Sequence, residues 1–459
     1  MRSSPLSSVN SDSAALEASP RAVMRLALPA LPVLAAEPLY LLYDFAVVGR
    51  LGGLALAGLA VGGLILAQVT TQLTFLTYGT TARAARHHGA GDRPAAVREG
   101  IQATWLAIVA GTVVVALTYL LARPVLGVLT GDSDIAAAAA SWLYIAIFGA
   151  PLILIAMAGN GWLRGIHDTM RPLRFVLAGL VTSAVLCPAL VYGLAGFPEL
   201  GLPGSALANV IGQSVTAMFF VAALASERRR APAATSVRPD ARVIRAQAVL
   251  GRDLILRSLA FQACFLSAAA VAARFGAAAV GAHQAVLHLW NLVALTLDSL
   301  AIAAQAIIGA LLGSGLRAAA TAGAWRIMRW SIGFAVALAA LFAGGAAVIP
   351  GILTTDVAVL GHMREIWWFF VLMIPIAGVV FALDGVLLGS GDAAFLRTAT
   401  LLAALVGFLP LIWLSLLAGW GLPGIWSGLA AFIVLRAGAV VWRTRSAKWA
   451  LVGAERRAA

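Results

Sequence analysis

Two acidic residues in an apolar setting pose the chemical question. The stretch Pro29–Gly58, PALPVLAAEPLYLLYDFAVVGRLGGLALAG, is apolar enough to lie in a bilayer, yet it carries Glu37 and Asp44. Seven residues of helix turn through ~700°, so the two carboxylates should share a face to within ~20°. A charged side chain in hydrocarbon is costly and is expected to face a cavity or a partner and to serve function. Pro38, between them, removes one backbone hydrogen bond and favours a bend. Two carboxylates in a low-dielectric site cannot easily both stay charged, so the pair is expected to share a proton and to titrate as a unit. That chemistry suits a transporter driven by protons or cations. The competing reading is a structural pair that holds the helix against its neighbours.

Other polar positions sit at helical spacing in apolar runs. Gln284, Asn291, Asp298 and Gln305 are each seven residues from the last, which makes one stripe down a long helix, with His283 and His288 near one end. The stripe is expected to face a water-filled cavity or another polar helix. Tyr40 stands one turn from both Glu37 and Asp44. Gln68 and Gln72 mark a second polar face, although Gln and Thr in such spans often serve helix–helix hydrogen bonds. Asp384, in FALDGVLLGSGD, is a further acid expected at membrane depth. We assign Tyr40, Gln68, Gln72, Gln284, His288, Asn291, Asp298, Gln305 and Asp384 to the substrate cavity, and Asp44 and Glu37 to proton or cation coupling. No metal site or cofactor is expected.

The elements that must position these groups follow from composition. Of 459 residues, 61% are hydrophobic and 11% charged, and the mean hydropathy is +0.94. A soluble chain of this length would need more charge, so this is a polytopic membrane protein. Apolar runs of about twenty residues give twelve spans, near 24–47, 54–80, 99–122, 136–160, 174–195, 202–225, 254–273, 279–311, 327–349, 366–388, 396–418 and 421–442. The net charge of +13 is not a nucleic-acid signal, because the 32 basic residues sort by side. Only Arg50, Arg123, Arg274 and Arg364 fall on one side, which predicts that the other is cytoplasmic and holds both termini. The first twenty residues lack an apolar core, so no cleavable signal is expected.

Two halves are visible. A shift of 224 carries Arg50 to Arg274, Gly52 to Gly276, Gly161 to Gly385, Gly165 to Gly389 and Asp168 to Asp392. GLPG recurs at Gly201–Gly204 and Gly421–Gly424. Six spans separate equivalent points, so the repeat is parallel, with the substrate path expected between the halves. The predicted fold is all-α: twelve transmembrane helices in two six-helix lobes. The expected layout is an N-terminal tail (1–23), an N-lobe (24–225), a basic cytoplasmic linker (226–253), a C-lobe (254–442) and a C-terminal tail (443–459). Cys187 and Cys264 lie in apolar runs and offer no metal spacing. Lys448 is the only lysine and has no GxxxxGK context, and no HExxH or GxSxG occurs, so neither an ATP-driven pump nor a hydrolase is indicated.

The run AEPLYLLYDFAVVGRLGGLALAG resembles the first span of multidrug and toxic compound extrusion transporters, in their DinF-like branch. GNGWLRGIHDT (Gly159–Thr169), Ala282–Gly315 and Phe381–Asp392 resemble three more of its blocks. The resemblance implies two lobes that export cationic or amphipathic compounds in exchange for H⁺ or Na⁺, with Asp44 at the coupling acid. Related members carry an N-x-x-x-D-P pattern in span five; here Ser183 and Cys187 stand at its two polar positions, before Pro188. Few oxygen ligands then remain for Na⁺, which favours H⁺. The expected protein is a monomeric multi-pass antiporter of the cytoplasmic (inner) membrane. Its partners are small organic cations or amphipathic drugs, H⁺ or Na⁺, and the lipid bilayer, with no nucleic acid. The alternatives are a flippase for a lipid-linked precursor, whose cavity should be basic, and a non-transporting scaffold.

Overall fold

A computed structural model describes residues 19–230 and 236–454. It is built of helices, labelled here in chain order: α1 (Pro20–Val48), α2 (Gly53–Gln72), α3 (Phe75–Gly89), α4 (Arg93–Thr130), α5 (Ser133–Ala146), α6 (Gly149–Gly165), α7 (Met170–Tyr192), α8 (Leu202–Arg230), α9 (Ala241–Arg274), α10 (Ala277–Gly313), α11 (Arg317–Gly344), α12 (Ile349–Leu353), α13 (Val357–Gly389), α14 (Ala393–Ala403), α15 (Leu409–Ala418) and α16 (Gly421–Arg445). Eleven helical stretches of the described residues are long and apolar enough to cross a membrane, α2–α3 and α14–α15 each counting as one. The pair α5–α6, bent by 47°, supplies a twelfth.

Several helices outrun the apolar segments that announced them. The span expected at 254–273 begins at Ala241, and the one expected at 327–349 runs Arg317–Gly344. Hydropathy marks only the part of a helix that meets lipid, whereas backbone hydrogen bonding carries on into polar sequence. Asp92, Asp132 and Asp356 cap α4, α5 and α13 by accepting bonds from backbone N–H groups of the first turn. α1 runs unbroken through Pro29, Pro32 and Pro38.

The chain forms two compact units, Pro29–Gly251 and Arg252 onward together with the segment before Pro29. Much of the expected linker is ordered: α8 extends to Arg230 and α9 starts at Ala241, while residues 231–235, with 1–18 and 455–459 of the expected tails, lie outside the described set. Residues 237–247 are stitched to α4. Trp105 Nε1 donates to the Val237 carbonyl at 2.8 Å, Gln102 Nε2 to the Arg238 carbonyl at 3.0 Å, and Gln247 Nε2 to Glu99 Oε2 at 2.9 Å. The Arg242 amide and the Arg98 guanidinium hold the Asp240 carboxyl below the usual carboxylate range.

The internal repeat is built into the packing. A Cβ on Gly161 would stand 2.4 Å from the Thr77 carbonyl oxygen; one on Gly385 would stand 2.3 Å from that of Ala301. Gly165 meets Thr81 as Gly389 meets Gln305. Both members of each contact are 224 residues from their counterparts, so each half presses α6 or the end of α13 against the same neighbour at the same place. Gly52 and Gly276, also 224 apart, open α2 and α10 with φ of 113° and 102°, a conformation that side chains resist.

Candidate functional site

α1 carries Glu37, Tyr40 and Asp44 in the first unit, and two tyrosine hydroxyls, one on α1 and one on α7, tie it to α7. Tyr43 Oη donates to the Ala184 carbonyl at 2.7 Å, and Tyr192 Oη donates to the Val47 carbonyl. Asp44 is only 1% exposed. Ser205 Oγ lies 2.7 Å from Oδ1 and 2.9 Å from Oδ2, and the Cys187 thiol donates to Oδ1 at 3.3 Å. Behind Ser205, Trp142 Nε1 donates to its hydroxyl at 3.2 Å. A buried carboxylate is therefore supported by three helices, α5, α7 and α8, through a relay of donors. These donors suit a carboxylate, and the hydroxyl can also turn to accept a hydrogen bond from a carboxylic acid.

Glu37 meets a different environment on the same face. It is exposed, and it lines a cavity of about 150 Å³ together with Tyr40, Asn160, Ser183, Gln213 and Thr216. Tyr40 is 4% exposed; its hydroxyl lies beside Ser183 without a formed hydrogen bond, and Asn160 Oδ1 is likewise buried without a partner. Ser183 Oγ instead donates to the Ala208 carbonyl at 3.2 Å. Glu37 thus reaches open space while Asp44 is sealed, with Tyr40 between them.

Ser205, Trp142, Asn160, Gln213 and Thr216 were not singled out from the sequence. Their signal was a polar side chain in an otherwise apolar span: Ser205 directly follows GLPG, and Asn160 lies within GNGWLRG.

The remaining expected cavity residues separate. On α10, Asn291 and His288 are exposed and Gln284 and Asp298 half-buried, but Gln305 is 1% exposed. Gln305 sits where Gly389 packs against its backbone, so it faces protein and not a cavity. A shared face fixes direction around a helix, not depth along it. Gln68 on α2 is exposed; Gln72 is half-buried, and its Oε1 is buried without a partner. In a variant lacking Cys187 and Cys264, Asn291→Cys should react with a water-soluble thiol reagent and Gln305→Cys should not. Equal labelling of both would show that the α10–α13 contact is open.

Asp384 requires the larger correction. It is 5% exposed and ion-paired with both Arg257 of α9 and Arg436 of α16. The Arg436 guanidinium also lies over the Phe261 ring, 4.9 Å from its centroid, and over Phe432 at 5.6 Å. Asp384 is therefore not a free anionic wall of a cavity. Its partners come from helices far away in sequence, and Arg436, which the sequence groups with the cytoplasmic basic residues, is buried against it.

The family model described as MatE matches residues 29–189 and 254–413, one block in each half. The chain belongs to the MatE family. MatE proteins are membrane transporters, not enzymes, and the two-lobe, all-helical fold is theirs. "Protein DETOXIFICATION 44, chloroplastic" of Arabidopsis thaliana is 31% identical over 450 residues, covering 94% of this chain and 83% of that protein. "DNA damage-inducible protein F" of Escherichia coli is 28% identical over 451 residues and covers 95% of both, which places the chain with the DinF-like branch. Among solved structures, "Crystal structure of MATE in the bent conformation" matches with a TM-score of 0.85 at 19% identity, covering 93% of this chain and 95% of that one.

Proposed function

We propose that this MatE transporter exports cationic or amphipathic organic compounds in exchange for H⁺ by alternating access, with Asp44 as the coupling carboxylate and Glu37 as its partner. The observation that carries the reading is the arrangement on α1: a sealed carboxylate held by Ser205 and Cys187, and a second one opening into the cavity. A proton taken up by the pair removes a charge from a low-dielectric site, so the protonated and charged states favour different packings of α1. Glu37 gives the cavity a negative wall that selects positive guests. Na⁺ is the weaker choice, because it seeks several oxygen ligands, and Cys187 offers sulfur where an oxygen would be needed.

In this reading the lobes are residues 24–225 and 254–442 joined by the basic segment 226–253. The protein works as a monomer in the cytoplasmic membrane, with both termini inside. A lipid-linked precursor flippase is the second reading, favoured by the buried Arg436; the Asp384 carboxylate beside that arginine and Glu37 in the cavity weigh against it. Purified protein in liposomes decides between the ions. An imposed pH gradient should drive uptake of a fluorescent organic cation, and an Na⁺ gradient alone should not. The opposite pattern would sink the proton reading.

A further inference from the structure

The repeat allows the cavity of the first unit to be looked up in the second. Val33, Glu37 and Asn160 line that cavity, and a shift of 224 carries them to Arg257, Phe261 and Asp384. Thr216, also at the cavity, moves to Arg436 by the shift of 220 that relates the two GLPG motifs opening α8 and α16. The first shift holds in the structure, because the glycine contacts between Gly161 and Thr77 and between Gly385 and Ala301 coincide under it; the second rests on the GLPG motifs of the sequence.

The four counterparts form one cluster. Arg257 and Arg436 both pair with Asp384, and both guanidinium groups lie over the Phe261 ring, at 5.6 and 4.9 Å from its centroid. Where the first unit has open space and an acid, the second has an aromatic ring between two arginines. Tyr40 and Asp44 map to Cys264 and Ala268, both 1% exposed, so the sealed carboxylate has no counterpart either. The remaining charges packed nearby on α9 are Arg252 and Asp253, which pair with each other and, through Asp253, with Arg397. They form a separate set about one turn away.

We propose that Arg436, seconded by Arg257, is a built-in cation. It occupies the second unit's copy of the cavity that Glu37 lines in the first and holds Asp384 as a latent cation site. That the first unit's cavity faces cations rests on the proposed function; the latency of Asp384 stands on the cluster itself. A guanidinium fixed by a carboxylate and stacked on two rings supplies permanently the positive charge that a mobile cation would have to bring on each cycle.

The test replaces both arginines by the residues at their counterparts, Arg436→Thr with Arg257→Val, in the full-length purified protein. Infrared difference spectra between neutral and acidic pH report protonated carboxyl groups directly. The double variant should gain one carboxyl band that the wild type lacks, and adding Asp384→Asn should remove it. Arg436→Lys, which keeps the charge, should gain none. If the double variant does not fold, the triple variant, in which the cluster is uncharged, is compared with the wild type, and the two should show the same carboxyl bands. A wild-type band that disappears with Asp384→Asn in the triple variant, or a double variant that folds and gains nothing, overturns the proposal. Bands lost with Asp44→Asn or Glu37→Gln test the coupling site separately, so failure of one reading is distinguishable from failure of the other.

Discussion

Asp44→Asn should reduce gradient-driven export to the level of empty liposomes while the protein still folds and inserts. The amide is nearly isosteric with the carboxylate and keeps an oxygen for the Ser205 hydroxyl, which lies 2.7 Å from Oδ1. The fold should therefore lose only on the order of 1 kcal/mol, the worth of one altered hydrogen bond. What the amide cannot do is exchange a proton, so the two charge states that drive the cycle collapse into one. Glu37→Gln should slow export less, because Glu37 is open to the cavity and Asp44 remains. The comparison is the initial rate of pH-driven transport for wild type and both variants at matched protein content. Substantial gradient-driven transport by a stably inserted Asp44→Asn protein would remove Asp44 from the coupling step.

The sequence exposed the acid pair and the repeat because each depends on a local rule. Seven-residue spacing puts Glu37 and Asp44 on one face whatever surrounds them. A glycine survives where two backbones touch, so matched glycines such as Gly161 and Gly385 report matched contacts. Other features depend on which distant segment arrives beside a residue. Asp384 looks like Asp44 in sequence, an acid in an apolar run, and nothing local shows that Arg257 and Arg436 close on it from helices 127 and 52 residues away. Ser205 was equally silent, since a serine after GLPG becomes significant only when α8 lies against α1. Gln305 shows a third limit: seven-residue spacing places it on one face of α10 with Asn291 and Asp298, but whether that face meets a cavity or protein at its depth is decided by α13.

The same cluster makes a strong and asymmetric prediction about stability. Asp384→Ala leaves two guanidinium groups facing each other with no carboxylate between them, and one of them, Arg436, is only 3% exposed. Removing the single counter-charge of a buried ion pair costs ~3–5 kcal/mol, because the remaining charge has lost its water and has no partner. Arg257→Gln is the opposite case. It leaves Asp384 and Arg436 as a one-to-one pair, still stacked on Phe261 and Phe432, and the arginine it removes has a side chain 16% exposed. Its cost should be on the order of 1 kcal/mol, that of a hydrogen bond. Thermal unfolding of the detergent-solubilised protein orders the variants: wild type highest, Arg257→Gln close below it, and Asp384→Ala far below both. Arg436→Thr added to Asp384→Ala should recover part of the loss, since it takes away the more buried of the two stranded charges. If Asp384→Ala and Arg257→Gln melt together, the carboxylate is not the counter-charge that holds this half of the molecule closed around its arginines.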